Sequence, residues 1–290
     1  MHATSGSLRR RFVHLPGRGS FRVHVDGSAP APGIVLLHGL GASAELNWSA
    51  TMPALQRDFR VVAPDIRGHG ETRTSDRFTL EDAAEDVIAL ADALTLDGFI
   101  IVGYSMGGAI AQLAALRHPE RVRGVVLCAT SRSFRSTLRE RAAFAALPPA
   151  RVAAGVIPSE VARAAARRVA AHLVGDACDA LVDHNALVDH NRTFDVGHAL
   201  EAAAALGPFD SRDWIGRIEV PGAVVVHLRD QLVPTNQQFA LARALSDATV
   251  HPFDGDHFGA VKKPQVFTAT LRAALRSVQR RTCVPATCAS

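Results

Sequence analysis

Residues 99–108 read Phe99-Ile100-Ile101-Val102-Gly103-Tyr104-Ser105-Met106-Gly107-Gly108. Four apolar residues, three of them β-branched, predict a strand buried on both faces. Gly103 to Gly107 then spell G-x-S-x-G, and Ile110, Leu113 and Ala114 recur at helical spacing, which predicts an amphipathic helix. A serine on so sharp a strand-to-helix turn holds a strained backbone and pushes its hydroxyl into the open. Glycines flank it because side chains there would collide. The backbone N–H groups that follow open a helix, where they favour a developing negative charge. The five-residue motif alone is a common one; the strand before it and the helix after it make it specific.

Working outward, Arg11 to Leu15 and Phe21 to Val25 read as two early strands close enough to pair. Ile34–Leu37, Val61–Ala63, Val125–Leu127 and Ala223–Val226 read as further buried strands. Between them, Leu80, Ala83, Ala84, Val87, Ile88, Ala91 and Leu94 keep a helical period, with Thr79 as N-cap and Asp82 three residues on. Strands alternating with helices predict an α/β fold with a mostly parallel sheet. The alternation breaks between about Ser131 and Pro208, a stretch rich in Ala, Arg and His that reads as several helices. We therefore expect residues 1–130 and 209–280 to form the core and residues 131–208 a helical cap over one edge of the sheet. Residues 281–290 show no period and are expected to be a disordered tail. Within the cap lies a tandem repeat, ALVDHN at 180–185 and again at 186–191, too short for a solenoid.

Composition narrows the class. In 290 residues, 48% are apolar and 21% charged, which excludes a disordered chain, and only 4 are Cys, which excludes a disulfide scaffold. No apolar run reaches the length of a bilayer span, and the start lacks the apolar stretch of a signal peptide, so a cytoplasmic protein is expected. The excess of 32 basic over 28 acidic residues is interleaved along the chain, without the clustering that nucleic acid requires, and reads as a solvated Arg-rich surface. Cys128 sits in an apolar run and reads as a buried core thiol.

With these segments in view, the chain resembles the α/β-hydrolase superfamily over nearly its whole length. Ile34-Val-Leu-Leu-His38-Gly39-Leu40-Gly41 looks like the family's strand and HG loop, and Val62-Ala-Pro64-Asp65-Ile66-Arg67-Gly68-His69-Gly70 like its D-x-R-G-x-G segment. The resemblance implies an eight-stranded, mostly parallel sheet with helices on both faces. It also implies a Ser-Asp-His chain order: Ser105 as nucleophile, Asp230 in Val224-Val-Val-His227-Leu-Arg-Asp230 as orienting acid, and His257 in Phe253-Asp-Gly-Asp256-His257 as base. The oxyanion donors carried over are the backbone N–H groups of Leu40 and Met106. Asp65, Arg67 and His69 are expected to hold their loop. The chain departs from the pattern twice, at Asp256, where the family usually has Gly, and at Lys262, where an acid is frequent.

The other histidines have simpler explanations. His14, His24, His118 and His251 fall in strands or at a helix end, and His38 in the HG loop. His172, His184, His190 and His198 lie in the cap, where Asp183 and His190 lack the spacing of a metal site. Asp254 and Asp256 compete for the acid role but stand close to His257 in sequence. The expected activity is hydrolysis of a carboxylic ester of an apolar acid through an acyl-enzyme, with no cofactor or metal. Thioester, C–C bond cleavage or lyase action on an acidic metabolite is the alternative. Arg132, Arg135, Arg139, Arg151, Arg163, Arg167 and Arg168 offer an anion contact for it, against the plainer reading of a solvated helix face. A non-catalytic binder or sensor is the reading from another class, toward which only Asp256 points.

Overall fold

Each apolar run picked out above lies in a strand of the computed structural model, which describes residues 9–26, 31–74, 77–136, 138–145, 160, 161, 164 and 193–282. The strands are Arg9–Leu15 (β1), Gly19–Asp26 (β2), Gly33–Leu37 (β3), Arg60–Pro64 (β4), Phe99–Tyr104 (β5), Val122–Cys128 (β6), Gly222–His227 (β7) and Ala248–Phe253 (β8). They form one sheet in the order β1-β2-β4-β3-β5-β6-β7-β8. β1 pairs antiparallel with β2, and β2 with β4; from β4 onward every pairing is parallel. The α/β class is thus the one the alternating pattern predicts.

The helices are Ala44–Trp48 (α1), Met52–Leu55 (α2), Leu80–Ala93 (α3), Met106–Arg117 (α4), Leu138–Ala145 (α5), Val196–Leu206 (α6), Thr235–Ala244 (α7), Gly259–Lys262 (α8) and Pro264–Thr282 (α9). Successive strand residues point to opposite faces, so each central strand feeds two cores. Val35, Leu37, Ile101, Val125 and Val224 pack with α3, α4 and α7 on one face. Ile34, Leu36, Ile100, Val126 and Val225 pack with Trp48, Met52, Leu271 and Leu275 of α1, α2 and α9 on the other. β3 is followed in sequence by β4 on one side, while β5 pairs on its other side. The carboxyl ends of β3 and β5 therefore flank a topological switch point, where open α/β sheets form their crevice.

Local signals act as expected at several joints. Thr79 caps α3 by accepting the Asp82 N–H at 3.0 Å. In the loop after β4, Asp65 accepts the N–H of Ala44 at 2.8 Å and of Glu71 at 3.1 Å, tying that loop to α1. Arg67 forks onto Asp86 of α3 at 2.6 and 2.8 Å. Arg67 and Arg22 are both buried, so the surface reading of the arginines does not extend to these two.

Other details correct the sequence reading. α4 is not amphipathic: Met106 to Ala115 are all buried, because α3, β5 and β6 enclose the helix. Arg281 and Thr282, expected to begin the tail, form the last turn of α9. Arg281 is held there by the carbonyl of Gly222 at 2.6 Å and by the Asp247 side chain at the edge of the sheet. Of residues 131–208, expected to form a cap, α5, α6 and a few further helical residues are described. The ALVDHN repeat, Cys178, His172, His184, His190, Arg151, Arg163, Arg167 and Arg168 lie outside the described residues. The chain segments that lead into and out of residues 131–208 meet in an isolated bridge between Ser133 and Asp210 and in a bond from the Ser211 N–H to the Arg132 carbonyl at 2.8 Å. Buried Gln112 of α4 joins them by donating to the Ser131 carbonyl at 3.1 Å and accepting from the Ser211 hydroxyl at 2.7 Å.

Candidate active site

Ser105 stands between β5 and α4 with φ 53° and ψ −115°, the left-handed, strained geometry expected of the G-x-S-x-G turn. Its backbone is pinned on both sides. The Ser105 N–H donates to the Cys128 carbonyl at 2.9 Å, and the buried Thr130 hydroxyl donates to the Ser105 carbonyl at 2.8 Å. The glycines answer to close approach: a Cβ on Gly103 would meet the Gly107 carbonyl oxygen at 2.3 Å, and one on Gly107 the Leu37 oxygen at 2.5 Å.

The HG loop leaves β3 beside this turn, and a Cβ at Gly39 would lie 3.5 Å from the Cβ of Ser105. His38 holds the loop with both ring nitrogens: Nδ1 donates to the Gly39 carbonyl at 2.8 Å, and Nε2 accepts the Ile66 N–H at 3.0 Å. Asn47 of α1 takes the Gly39 N–H on its Oδ1 at 3.1 Å. Leu40 follows at the loop's tip, part-exposed, and Met106 opens α4, where an N–H has no carbonyl a turn behind it. Of the two amides named from sequence, Met106 directly follows Ser105, and Leu40 directly follows Gly39, the HG-loop residue that approaches that serine. His69 is buried edge-on to His38, bonded through Nδ1 to the Arg67 carbonyl, and burial pushes its pKa down to about 3. It is a neutral structural residue of the loop.

Asp230 comes three residues after β7, fully buried at its carboxylate. Oδ1 accepts the N–H groups of Leu232 and Val233, both at 2.9 Å, and Oδ2 accepts Gln238 Nε2 at 3.1 Å. The remaining bond to Oδ2 comes from His257 Nδ1 at 2.8 Å. A carboxylate facing Nδ1 fixes the hydrogen there, leaving Nε2 as an acceptor, and Nε2 lies 3.1 Å from the Ser105 hydroxyl. Three residues spread over more than half the chain therefore form one hydrogen-bonded line. The competing acids are engaged elsewhere, Asp254 with Arg229 at 2.7 Å and Asp256 with Lys262 at 2.6 Å.

Some residues of the site carry no local sequence signal. Tyr104 stands at a variable position of the motif, yet its hydroxyl donates to the His257 carbonyl at 2.6 Å, and burial raises its pKa. His227 ends β7 and donates from Nδ1 to the Asp256 carbonyl at 2.7 Å; burial lowers its pKa to about 4, so it stays neutral. Gln238 reaches Asp230, the Val233 carbonyl and the His227 N–H together. Such roles depend on contacts far apart in sequence, and a hydrophobic period does not report them.

Among the described residues no helix is long and apolar enough to cross a membrane, and no group of three or more His, Cys, Asp or Glu is placed to hold a metal. Of the arginines expected to lie in a cap, Arg135 lies over the Phe144 ring, 5.6 Å from its centroid. Phe194 approaches the HG loop, its ring edge lying 3.5 Å from where a Cβ on Gly41 would stand.

Comparison with known proteins agrees with this architecture. Residues 32–264 match the family model described as alpha/beta hydrolase fold. The chain is 28% identical over 265 residues to the pyrrolizixenacetamide deacetylase of Xenorhabdus hominickii, covering 87% of this chain and 93% of that protein. It is 32% identical over 276 residues to a protein provisionally named carbamate hydrolase RutD from Rhizobium rhizogenes strain K84, covering 89% and 97%. Among solved structures, the enol-lactonase of Burkholderia xenovorans LB400 superposes with a TM-score of 0.74 at 25% identity, covering 92% of this chain and all of that one.

Proposed function

The chain belongs to the alpha/beta hydrolase family, and on that footing we propose that it is a serine hydrolase cleaving a carboxylic ester through an acyl-enzyme. The observation that carries this reading is the unbroken line from Asp230 Oδ2 through His257 to the Ser105 hydroxyl, at 2.8 and 3.1 Å. In the reaction, the Ser105 oxygen attacks the acyl carbon while His257 Nε2 takes its proton. Asp230 holds the imidazole tautomer and stabilises the imidazolium. The oxygen of the tetrahedral intermediate is received by the N–H groups of Leu40 and Met106, each donor contributing about 3 kcal/mol. His257 then protonates the leaving alcohol. Water, deprotonated by the same nitrogen, releases the acid and restores the serine.

An apolar acyl group is favoured by the apolar residues exposed on loops at the strand ends that carry the site. Leu40, Leu228 and Leu232 are large, apolar and part-exposed on loops at the carboxyl ends of β3 and β7. The deacetylase and enol-lactonase names of two similar proteins fit acyl transfer to water, as the line of side chains does. The test is turnover of p-nitrophenyl esters graded from acetyl to dodecanoyl by the purified protein and by Ser105→Ala. Turnover lost in the variant supports the reading, and the chain-length optimum sizes the acyl pocket. Equal inertness of both proteins removes simple esters from consideration.

A further inference from the structure

The bonds within the line of Asp230, His257 and Ser105 orient the imidazole ring but do not fix the main chain that carries it. His257 lies on the loop between β8 and α8, where an unrestrained backbone would let Nε2 drift from a hydroxyl 3.1 Å away. Beside the backbone bonds from the Gly259 N–H to the Asp256 carbonyl at 3.1 Å and from the Arg229 N–H to the Gly255 carbonyl at 3.0 Å, two side-chain bonds from outside the line hold that main chain. The Tyr104 hydroxyl donates to the His257 carbonyl at 2.6 Å, and His227 Nδ1 donates to the preceding carbonyl, of Asp256, at 2.7 Å.

The donors are themselves tightly packed. Tyr104 and His227 are buried, and their rings meet edge-on at 5.5 Å. Phe267 of α9 lies 5.8 Å from the first ring and 5.9 Å from the second. Their places in the chain add the argument. Tyr104 immediately precedes Ser105, so the strand that positions the nucleophile also grips the loop of the base. His227 ends the strand leading to Asp230. Its own N–H donates to Gln238 Oε1 at 2.9 Å, and Gln238 in turn donates to the Asp230 carboxylate. Both arms of the site therefore reach across to the third by bonds that leave the reacting atoms untouched.

We propose that Tyr104 and His227 are positioning residues that clamp the His257 main chain and set the distance between base and nucleophile. The inference rests on the serine-hydrolase reading for its effect on rate, but the clamp itself is measurable without substrate. Tyr104→Phe keeps the ring and removes the donor. It should lower kcat on the best p-nitrophenyl ester by about tenfold or more with KM within about twofold, since a small misplacement of reacting groups is costly while the binding surface is unchanged. Hydrogen exchange over residues 254–260 should quicken in the same variant. His227→Asn places an amide donor where Nδ1 stands and should retain more kcat than His227→Leu.

A purely structural role predicts something different: a lower unfolding midpoint with wild-type kcat and wild-type exchange over that loop in the folded protein. That result for Tyr104→Phe, which leaves packing intact, overturns the proposal whether or not the His227 variants fold. If the wild-type protein turns over no ester, the serine-hydrolase reading is what fails. Loop exchange in Tyr104→Phe then decides the clamp alone, with faster exchange supporting it and unchanged exchange overturning it.

Discussion

Lys262 Nζ lies 2.6 Å from Asp256 Oδ2, so the two residues at which this chain departs from the α/β-hydrolase pattern form an ion pair with each other. Asp256 also accepts the Phe258 N–H at 3.0 Å, which closes the turn into α8 directly behind the base. Each departure therefore supplies the other's partner. The pair is part-exposed, and such pairs contribute about 0.2–1 kcal/mol. A double-mutant cycle of Asp256→Asn and Lys262→Met, read by urea unfolding, should show coupling of that size that shrinks as salt is added. Strict additivity would mean that the two charges do not interact in solution.

Gln238 is fully buried and satisfies three groups at once, including the Asp230 carboxylate. Gln238→Leu leaves the Val233 carbonyl and the His227 N–H without that partner and should destabilise the protein by about 1–3 kcal/mol. It should also lower kcat more than it changes KM, because Asp230 loses a donor beside the one from His257. Parallel unfolding and kinetic measurements separate the two effects.

Arg67 and Asp86 tie the loop after β4 to α3 through a buried two-pronged bond. Breaking a buried pair by removing one partner costs about 3–5 kcal/mol, since the other charge remains in the interior. Asp86→Leu should therefore fall in that range at pH 7. Arg67→Lys should recover little of the lost geometry, because an ammonium cannot fork onto a carboxylate.

Three buried histidines predict acid sensitivity. Burial lowers the pKa of His24 to about 4, of His69 to about 3 and of His227 to about 4, against an ordinary 6.5. Below that ordinary value the unfolded chain takes up protons that the native protein refuses, so stability falls as pH drops from about 6.5 toward 4. Each group removes up to about 2 kcal/mol between pH 6.5 and 5. Urea midpoints measured across this interval should decline, and His69→Gln should decline less steeply. A flat profile would show that these rings are reached by water.

The residues that announce themselves in sequence are those with a local physical signature. Ile100, Ile101 and Val102 mark a strand because branched side chains suit a sheet buried on both faces. Gly103 and Gly107 mark the turn because no side chain fits there, and Thr79 marks a helix start through its cap. Ser105, Asp230 and His257 were legible through motif and chain order, and they lie within hydrogen-bond reach of one another. Tyr104, His227 and Gln238 were not, because each acts through a carbonyl or carboxylate that only the fold brings near. Asp256 and Lys262 stand six apart across a turn rather than at helical spacing, which hides their pairing. The last turn of α9 leaves no trace in the sequence because Arg281 and Thr282 continue no apolar period; Arg281 is held by Asp247 and the Gly222 carbonyl instead.

The central claim is that Ser105 is a nucleophile activated by His257. Reaction with a fluorophosphonate, read by intact mass and peptide mapping, tests it without any assumption about the substrate. The account predicts one adduct per chain, on the peptide containing Ser105, absent in Ser105→Ala and formed far more slowly in His257→Ala. No adduct on the folded wild-type protein, or one on a different residue, would contradict it.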